Sequence, residues 1–132
     1  MKYLLILMFA VIGFAFTGPV EIRNQGMASS YPATAEGQLT ASGELYSASE
    51  LTACHASLPF GTMVRVTNIR TNESVEVRIN DRFQFKTNRV IDLSAAAAKK
   101  IHLFNNVAPL VSMEVIEIPK AEGETATPSS EG

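Results

Sequence analysis

The 132-residue chain has no tryptophan, one cysteine and two histidines. With Cys54 alone no internal disulfide is possible, so a folded domain must rely on its apolar core. His55 and His102 lack metal-ligand spacing, which argues against a zinc centre. Basic side chains are scarce as well. Eleven Lys and Arg face 13 Asp and Glu, for a formal net charge of −2, a balance that argues against a nucleic-acid surface. The chain has no glycine-rich phosphate loop, no Gly-x-Ser-x-Gly elbow and no nucleotide fingerprint. No apolar run reaches the roughly 20 residues of a membrane-spanning helix.

What is present begins with a leader. Fourteen of the first 17 residues are apolar, and the only charge among them is Lys2. One charge ahead of a short apolar stretch fits a secretory signal better than an uncleaved anchor, with small residues at Gly13, Ala15 and Thr17 near the candidate cleavage points. The expected organisation is a signal peptide over 1–17, a linker over 18–25, one folded domain over 26–119 and a tail over 120–132. The tail lacks large apolar residues and is expected to be disordered.

Strand patterns dominate the folded part. Val64 and Val66 alternate with Arg65 and Thr67, and Val75, Val77 and Ile79 alternate with Glu76 and Arg78. The polar stretch Arg70-Thr-Asn-Glu73 between them predicts a hairpin. Val107–Ile118 is a third β-rich run, interrupted by Pro109. One helix is predicted over Ala95–His102, capped by Ser94, with Asp92 just ahead and Lys99, Lys100 and His102 at its carboxyl end. Ser47-Ala-Ser-Glu50 has the form of a capping box, although Leu51-Thr-Ala after it reads equally as strand. Short strands and one small helix point to a compact β-barrel.

Several residues carry potential chemistry. Continued past Ile79, the alternation of the second hairpin strand puts Asp81 on the core face. A carboxyl buried without a paired cation keeps its proton to higher pH, as a general acid requires. The plainer alternative is that the strand ends at Asn80 and Asp81 opens a turn, pairing with Arg82 or Arg78. Glu44, in the small-residue loop Thr40-Ala-Ser-Gly-Glu44, is either solvated or half of a carboxylate pair such as glycoside cleavage uses. Cys54 and His55 are adjacent and face opposite ways on a strand, a poor nucleophile–base dyad; Cys54 reads as a small buried apolar residue.

Four stretches together resemble the RlpA-like (rare lipoprotein A) domain family. They are Thr40-Ala-Ser-Gly-Glu44-Leu-Tyr46, Leu51-Thr-Ala-Cys-His55-Ala-Ser-Leu-Pro-Phe-Gly-Thr62, Val64-Arg-Val-Thr-Asn68 and Val77-Arg-Ile-Asn-Asp81-Arg82. Ile91-Asp-Leu-Ser94 and the alanine helix continue the match, which runs from about Gly26 to Ile118. The resemblance implies an all-β fold, a six-stranded double-psi β-barrel with one or two short helices, related to expansins. It implies an exported lytic transglycosylase that cleaves between N-acetylmuramic acid and N-acetylglucosamine in peptidoglycan glycan strands and leaves 1,6-anhydro ends.

By the motif match, Asp81, Glu44 and His55 take the catalytic positions, and Tyr31, Tyr46, Arg82 and Phe85 are the expected substrate-binding residues. No metal, cofactor or nucleic-acid partner is implied, and the protein is expected as a monomer in the periplasm or cell envelope, without a lipobox. The sequence departs from the family at Ala28-Ser29-Ser30-Tyr31-Pro32, where a tryptophan precedes the tyrosine in relatives. It departs again at Asp81-Arg-Phe-Gln-Phe85, where Gly-Pro follows the arginine. The competing expectation is a non-catalytic, expansin-like glycan-binding module.

Overall fold

The computed structural model describes residues 23–84, 88–103 and 109–120. Its strands are β1 (Arg23–Ser30), β2 (Thr52–Cys54), β3 (Met63–Asn68), β4 (Ser74–Asp81), β5 (Arg89–Leu93) and β6 (Leu110–Glu117), with one helix, α1 (Ala95–Lys100), between β5 and β6. Hydrogen-bonded neighbours run β1-β5-β2-β4-β3-β6 and close into a barrel. The pairs β1/β5 and β2/β4 are parallel; the other four are antiparallel. Because β5 lies between β1 and β2, and β2 between β5 and β4, the connections β1-to-β2 and β4-to-β5 each pass over an intervening strand. Closure leaves no unpaired sheet edge, which suits a small chain without disulfides.

The core follows from the alternation in the hairpin. Val64 faces Val77 and Val66 faces Val75 across β3 and β4, while Val66 faces Met113 across β3 and β6. Val64, Val66, Val77, Ile79, Ile91, Leu93 and Val111 are fully buried, each contributing about 1.5–3 kcal/mol relative to exposure. Helix α1 packs Ala97, Ala98 and Ile101 into the same cluster, against β4, β1 and β5. Ser94 caps it, its Oγ accepting from the Ala97 N–H at 3.3 Å and donating to the Glu50 carbonyl at 2.6 Å. The helix ends at Lys100 rather than His102, because His102 turns left-handed (φ +51°) and the Leu103 N–H closes onto the Ala98 carbonyl.

At two other places the structure decides the local reading. Strand β1 begins at Arg23, inside the stretch read as linker. Ser47–Glu50 makes a turn, with the Glu50 N–H on the Ser47 carbonyl, and no helix follows before β2. The leader, residues 18–22 of the linker, and the tail beyond Lys120 lie outside the described residues.

Strand pairing also aligns side chains far apart in sequence. Ser29 pairs with Asp92, Asp92 with Cys54, and Cys54 with Asp81, so one row crosses β1, β5, β2 and β4. Between Ala53 and Cys54 the register shifts, leaving Asn80 as an extra residue on β4. This is a β-bulge. Ile79 and Asn80 are consequently both buried while Asp81 is partly exposed. The expectation from alternation is thus overturned at Asp81: the bulge turns it away from the barrel core.

Candidate active site

Asp81 sits at the end of β4 with both carboxyl oxygens engaged. The Tyr31 hydroxyl donates to Oδ2 at 2.5 Å. The Ala41 N–H donates to Oδ1 at 2.9 Å and the Arg82 N–H at 2.8 Å. Three donors hold the carboxylate in one orientation. Tyr31 is positioned from two sides: its N–H bonds the Leu93 carbonyl at 3.0 Å, and its ring lies 4.4 Å from that of Tyr46. Burial, followed by the hydrogen bond to Asp81, pushes the Tyr31 phenol far above its ordinary value, so it stays a neutral donor.

An open cleft of about 340 Å³ lies over this pair, lined by Tyr31, Pro32, Ala35, Gln38, Cys54, Asp81, Arg82, Phe83 and Asp92. It contains a second carboxylate, on the opposite side of Cys54 from Asp81. Asp92 is 13% exposed, accepts from the Ser29 hydroxyl and pairs with Arg89 Nε at 3.0 Å. Two strand spacings of about 4.8 Å put the backbones of the two aspartates roughly 10 Å apart. Burial, reinforced by the charges of Asp81 and Asp92, pushes the Cys54 thiol up to about 12. It remains a protonated, non-nucleophilic group. Among the described residues no cluster of His, Cys, Asp and Glu is arranged to hold a metal ion.

The other residues singled out in the sequence fall around this cleft, not all within it. Glu44 does not line it. Arg78 grips both Glu44 oxygens, at 2.7 and 3.0 Å, and Asn80 Nδ2 adds a third contact at 3.1 Å. The hydrogen bonds from Arg78 and then Asn80 hold its carboxyl below the ordinary value. His55 is half-buried next to the Asp81–Arg82 backbone, its N–H on the Asp81 carbonyl. Its Nδ1 accepts from the N–H groups of Ser57 and Leu58 at 3.1 and 3.0 Å, which fixes the tautomer with the proton on Nε2. Burial, then the Arg82 charge, lowers this imidazole below its usual value.

Arg82 points away from the Asp81 carboxylate. Its Nη1 donates to the His55 carbonyl at 2.9 Å, and its guanidinium stacks 4.6 Å over Phe60. Tyr46 is only 3% exposed, lies behind Tyr31 and accepts the Ala95 N–H on its hydroxyl at 3.1 Å; it presents little surface to a ligand. Phe85 lies outside the described residues. Asp92 was read from sequence as a charge preceding the helix. The available signal was its place between the apolar Ile91 and Leu93, which turns its side chain outward on a strand.

A closed six-stranded barrel whose two crossing connections interlock is a double-psi β-barrel, here with a carboxylate-bearing cleft on its flank. Residues 23–114 match the family described as lytic transglycolase, and the chain belongs to that family. Over 92 residues, 70% of the chain, it is 47% identical to RlpA of Synechocystis sp., of which it spans 29%. It is 43% identical over 96 residues, 73% of the chain, to the endolytic peptidoglycan transglycosylase RlpA of Haemophilus influenzae, spanning 33% of that protein. The chain thus spans about a third of the length of these relatives. Among solved structures it resembles an expansin of Clavibacter michiganensis, with a TM-score of 0.56 at 20% identity, covering 76% of this chain and 53% of the expansin. A variant of a Clavibacter michiganensis expansin in complex with cellohexaose gives 0.55 at 16% identity, with the same coverage. At such identities the likeness concerns the fold alone.

Proposed function

We propose that this domain is an exported lytic transglycosylase acting on peptidoglycan glycan strands, with Asp81 as its acid and base. The observation that carries the reading is the Asp81 carboxylate, fixed by three donors at the wall of an open cleft, in a chain whose family is described as lytic transglycolase and whose relatives are named peptidoglycan transglycosylases. In its protonated form Asp81 gives its proton to the glycosidic oxygen as the bond from C1 of N-acetylmuramic acid breaks. The 6-hydroxyl of the same sugar then attacks C1, and the carboxylate takes up the proton this hydroxyl releases. The products are a free 4-hydroxyl and a 1,6-anhydro end, with no water consumed and no covalent bond to the enzyme.

The surrounding groups support each half of that cycle. A phenol both donates and accepts, so the Tyr31 hydroxyl stays bonded to Asp81 in either protonation state. Asp92 places a second carboxylate in the cleft, two strands from Asp81 and paired with Arg89. His55 stands outside the cleft lining and meets Asp81 through its backbone N–H on the Asp81 carbonyl. Phe83, 53% exposed, brings an aromatic ring to the cleft wall in a chain without tryptophan, with the Arg89 guanidinium 5.6 Å from its ring centre.

The test is product mass spectrometry on glycan strands stripped of their peptides. Anhydro ends, one water lighter than hydrolytic ends, support the proposal. Reducing ends instead indicate a hydrolase. Binding without new chain ends indicates the non-catalytic, expansin-like alternative.

A further inference from the structure

We propose that Arg78 and Glu44 form a positioning clamp for Asp81, and that Glu44 acts on the reaction through the backbone of its own turn, not through the sugar. This rests on the reading of Asp81 as the catalytic acid and base. Glu44 closes the turn Thr40–Glu44, which is internally tied: the Thr40 N–H and Oγ1–H both bond the Glu44 carbonyl, at 2.8 and 2.7 Å, and Gly43 takes the left-handed φ of +91° that the reversal requires. Three contacts fasten this turn to the end of β4. The Arg78 guanidinium holds the Glu44 carboxylate as a two-pronged fork, the Asn80 amide donates to the same carboxylate, and the Ser42 N–H bonds the Asn80 carbonyl at 3.2 Å.

With the turn held in this way, its Ala41 N–H points at Asp81 Oδ1. Arg78, Asn80 and Asp81 belong to one strand, so the clamp ties the donor to the strand that bears the acceptor. Glu44 itself gives both carboxyl oxygens to Arg78 and Asn80 and does not line the cleft. Asp81 also accepts three hydrogen bonds, so it is the place of Glu44 outside the cleft lining that gives it a positioning role.

The experiment uses the full chain and five variants: Arg78→Met, Glu44→Ala, their double combination, Glu44→Gln and Asp81→Asn. Without substrate, the Ala41 amide proton resonance is followed by NMR. In Arg78→Met and Glu44→Ala it moves upfield, as an amide proton does on losing its acceptor, while the amides of Val64 and Val77 in the barrel stay put. On soluble stripped glycan strands, kcat falls roughly tenfold to a hundredfold in both variants, as for a slightly displaced catalytic group, with KM little changed. The double variant Arg78→Met/Glu44→Ala is no worse than either single one. Glu44→Gln, which still accepts from Asn80 and from one Arg78 N–H, keeps most of the activity.

A Glu44→Gln variant as inactive as Asp81→Asn, with the Ala41 amide in place, overturns the clamp in favour of direct action on substrate. So does an Arg78→Met variant whose Ala41 amide is unmoved. The amide needs no turnover, so it decides the clamp separately: full activity in Asp81→Asn sinks the catalytic reading and leaves the amide result to judge the clamp.

Discussion

Replacing Tyr31 by Phe removes one hydroxyl and little else. The ring keeps its contact with Tyr46, and the Tyr31 N–H keeps the Leu93 carbonyl. What is lost is the 2.5 Å hydrogen bond to Asp81 Oδ2. A hydrogen bond to a charged group contributes about 1.5–3 kcal/mol. Here the lower end applies, because the cleft is open and water takes the place of the phenol, while the Ala41 and Arg82 N–H groups remain on Oδ1. About 1.4 kcal/mol is a factor of about ten. We therefore expect kcat on stripped glycan strands to fall roughly tenfold, well short of the ~10²–10⁴-fold contributed by the proton-transfer group itself.

The assay is quantitation of anhydro ends over time, run beside a thermal melt. Unchanged kcat refutes the reasoning, since the phenol then does not orient the carboxylate during catalysis. A loss equal to that of Asp81→Asn also refutes it, since Tyr31 would then take part in the proton transfer.

Three further outcomes follow from the same geometry. His55 has a lowered folded-state value, so its neutral form stabilises the fold fully above its unfolded value near 6.5, and that contribution is lost as pH falls below it; nitrogen NMR should find the proton on Nε2 at neutral pH, and a proton on Nδ1 contradicts the account. Glu44 has a lowered value too, so its contribution is present above its unfolded value and lost as acid protonates it; Glu44→Gln should flatten the acid side of the stability curve, and an unchanged curve contradicts this. At Gly26 an added Cβ would come within 2.3 Å of Val90 Cγ1 and 2.8 Å of the Asn88 carbonyl oxygen. Gly26→Ala should cost about 1–3 kcal/mol, at about 4–8 °C of melting temperature per kcal/mol; a melt within one degree of wild type contradicts it.

Much of the barrel was legible in the sequence because its hairpin is patterned. Val64, Val66, Val75, Val77 and Ile79 alternate without interruption, and Ser94 with the following alanines marks a helix start. Strand β1 was not legible as a strand. In Arg23–Ser30 only Met27 and Ala28 are apolar, and the segment is a strand because β5 and β6 pair with it on either side. The bulge at Asn80 is likewise a property of the pairing with β2, invisible to the period-2 pattern that put Asp81 in the core.

The site shows the same division. Asp81, Glu44 and His55 were findable through resemblance to a family, but their contacts depend on topology. Tyr31 meets Asp81 across 50 positions of chain. Asp92 joins the cleft only because β5 is threaded between β1 and β2. The partner that a neighbour-in-sequence argument assigns to Asp81, the Arg82 guanidinium, is instead drawn to the His55 carbonyl and the Phe60 ring.

The central claim is that Asp81 moves the protons. Asp81→Asn keeps the size and the Oδ1 acceptor for Ala41 and Arg82 while removing the ability to transfer a proton. Measured on stripped glycan strands, it should form anhydro ends ~10²–10⁴-fold more slowly than wild type, with an unchanged melting temperature. Anhydro ends formed at the wild-type rate by the folded variant would contradict the account.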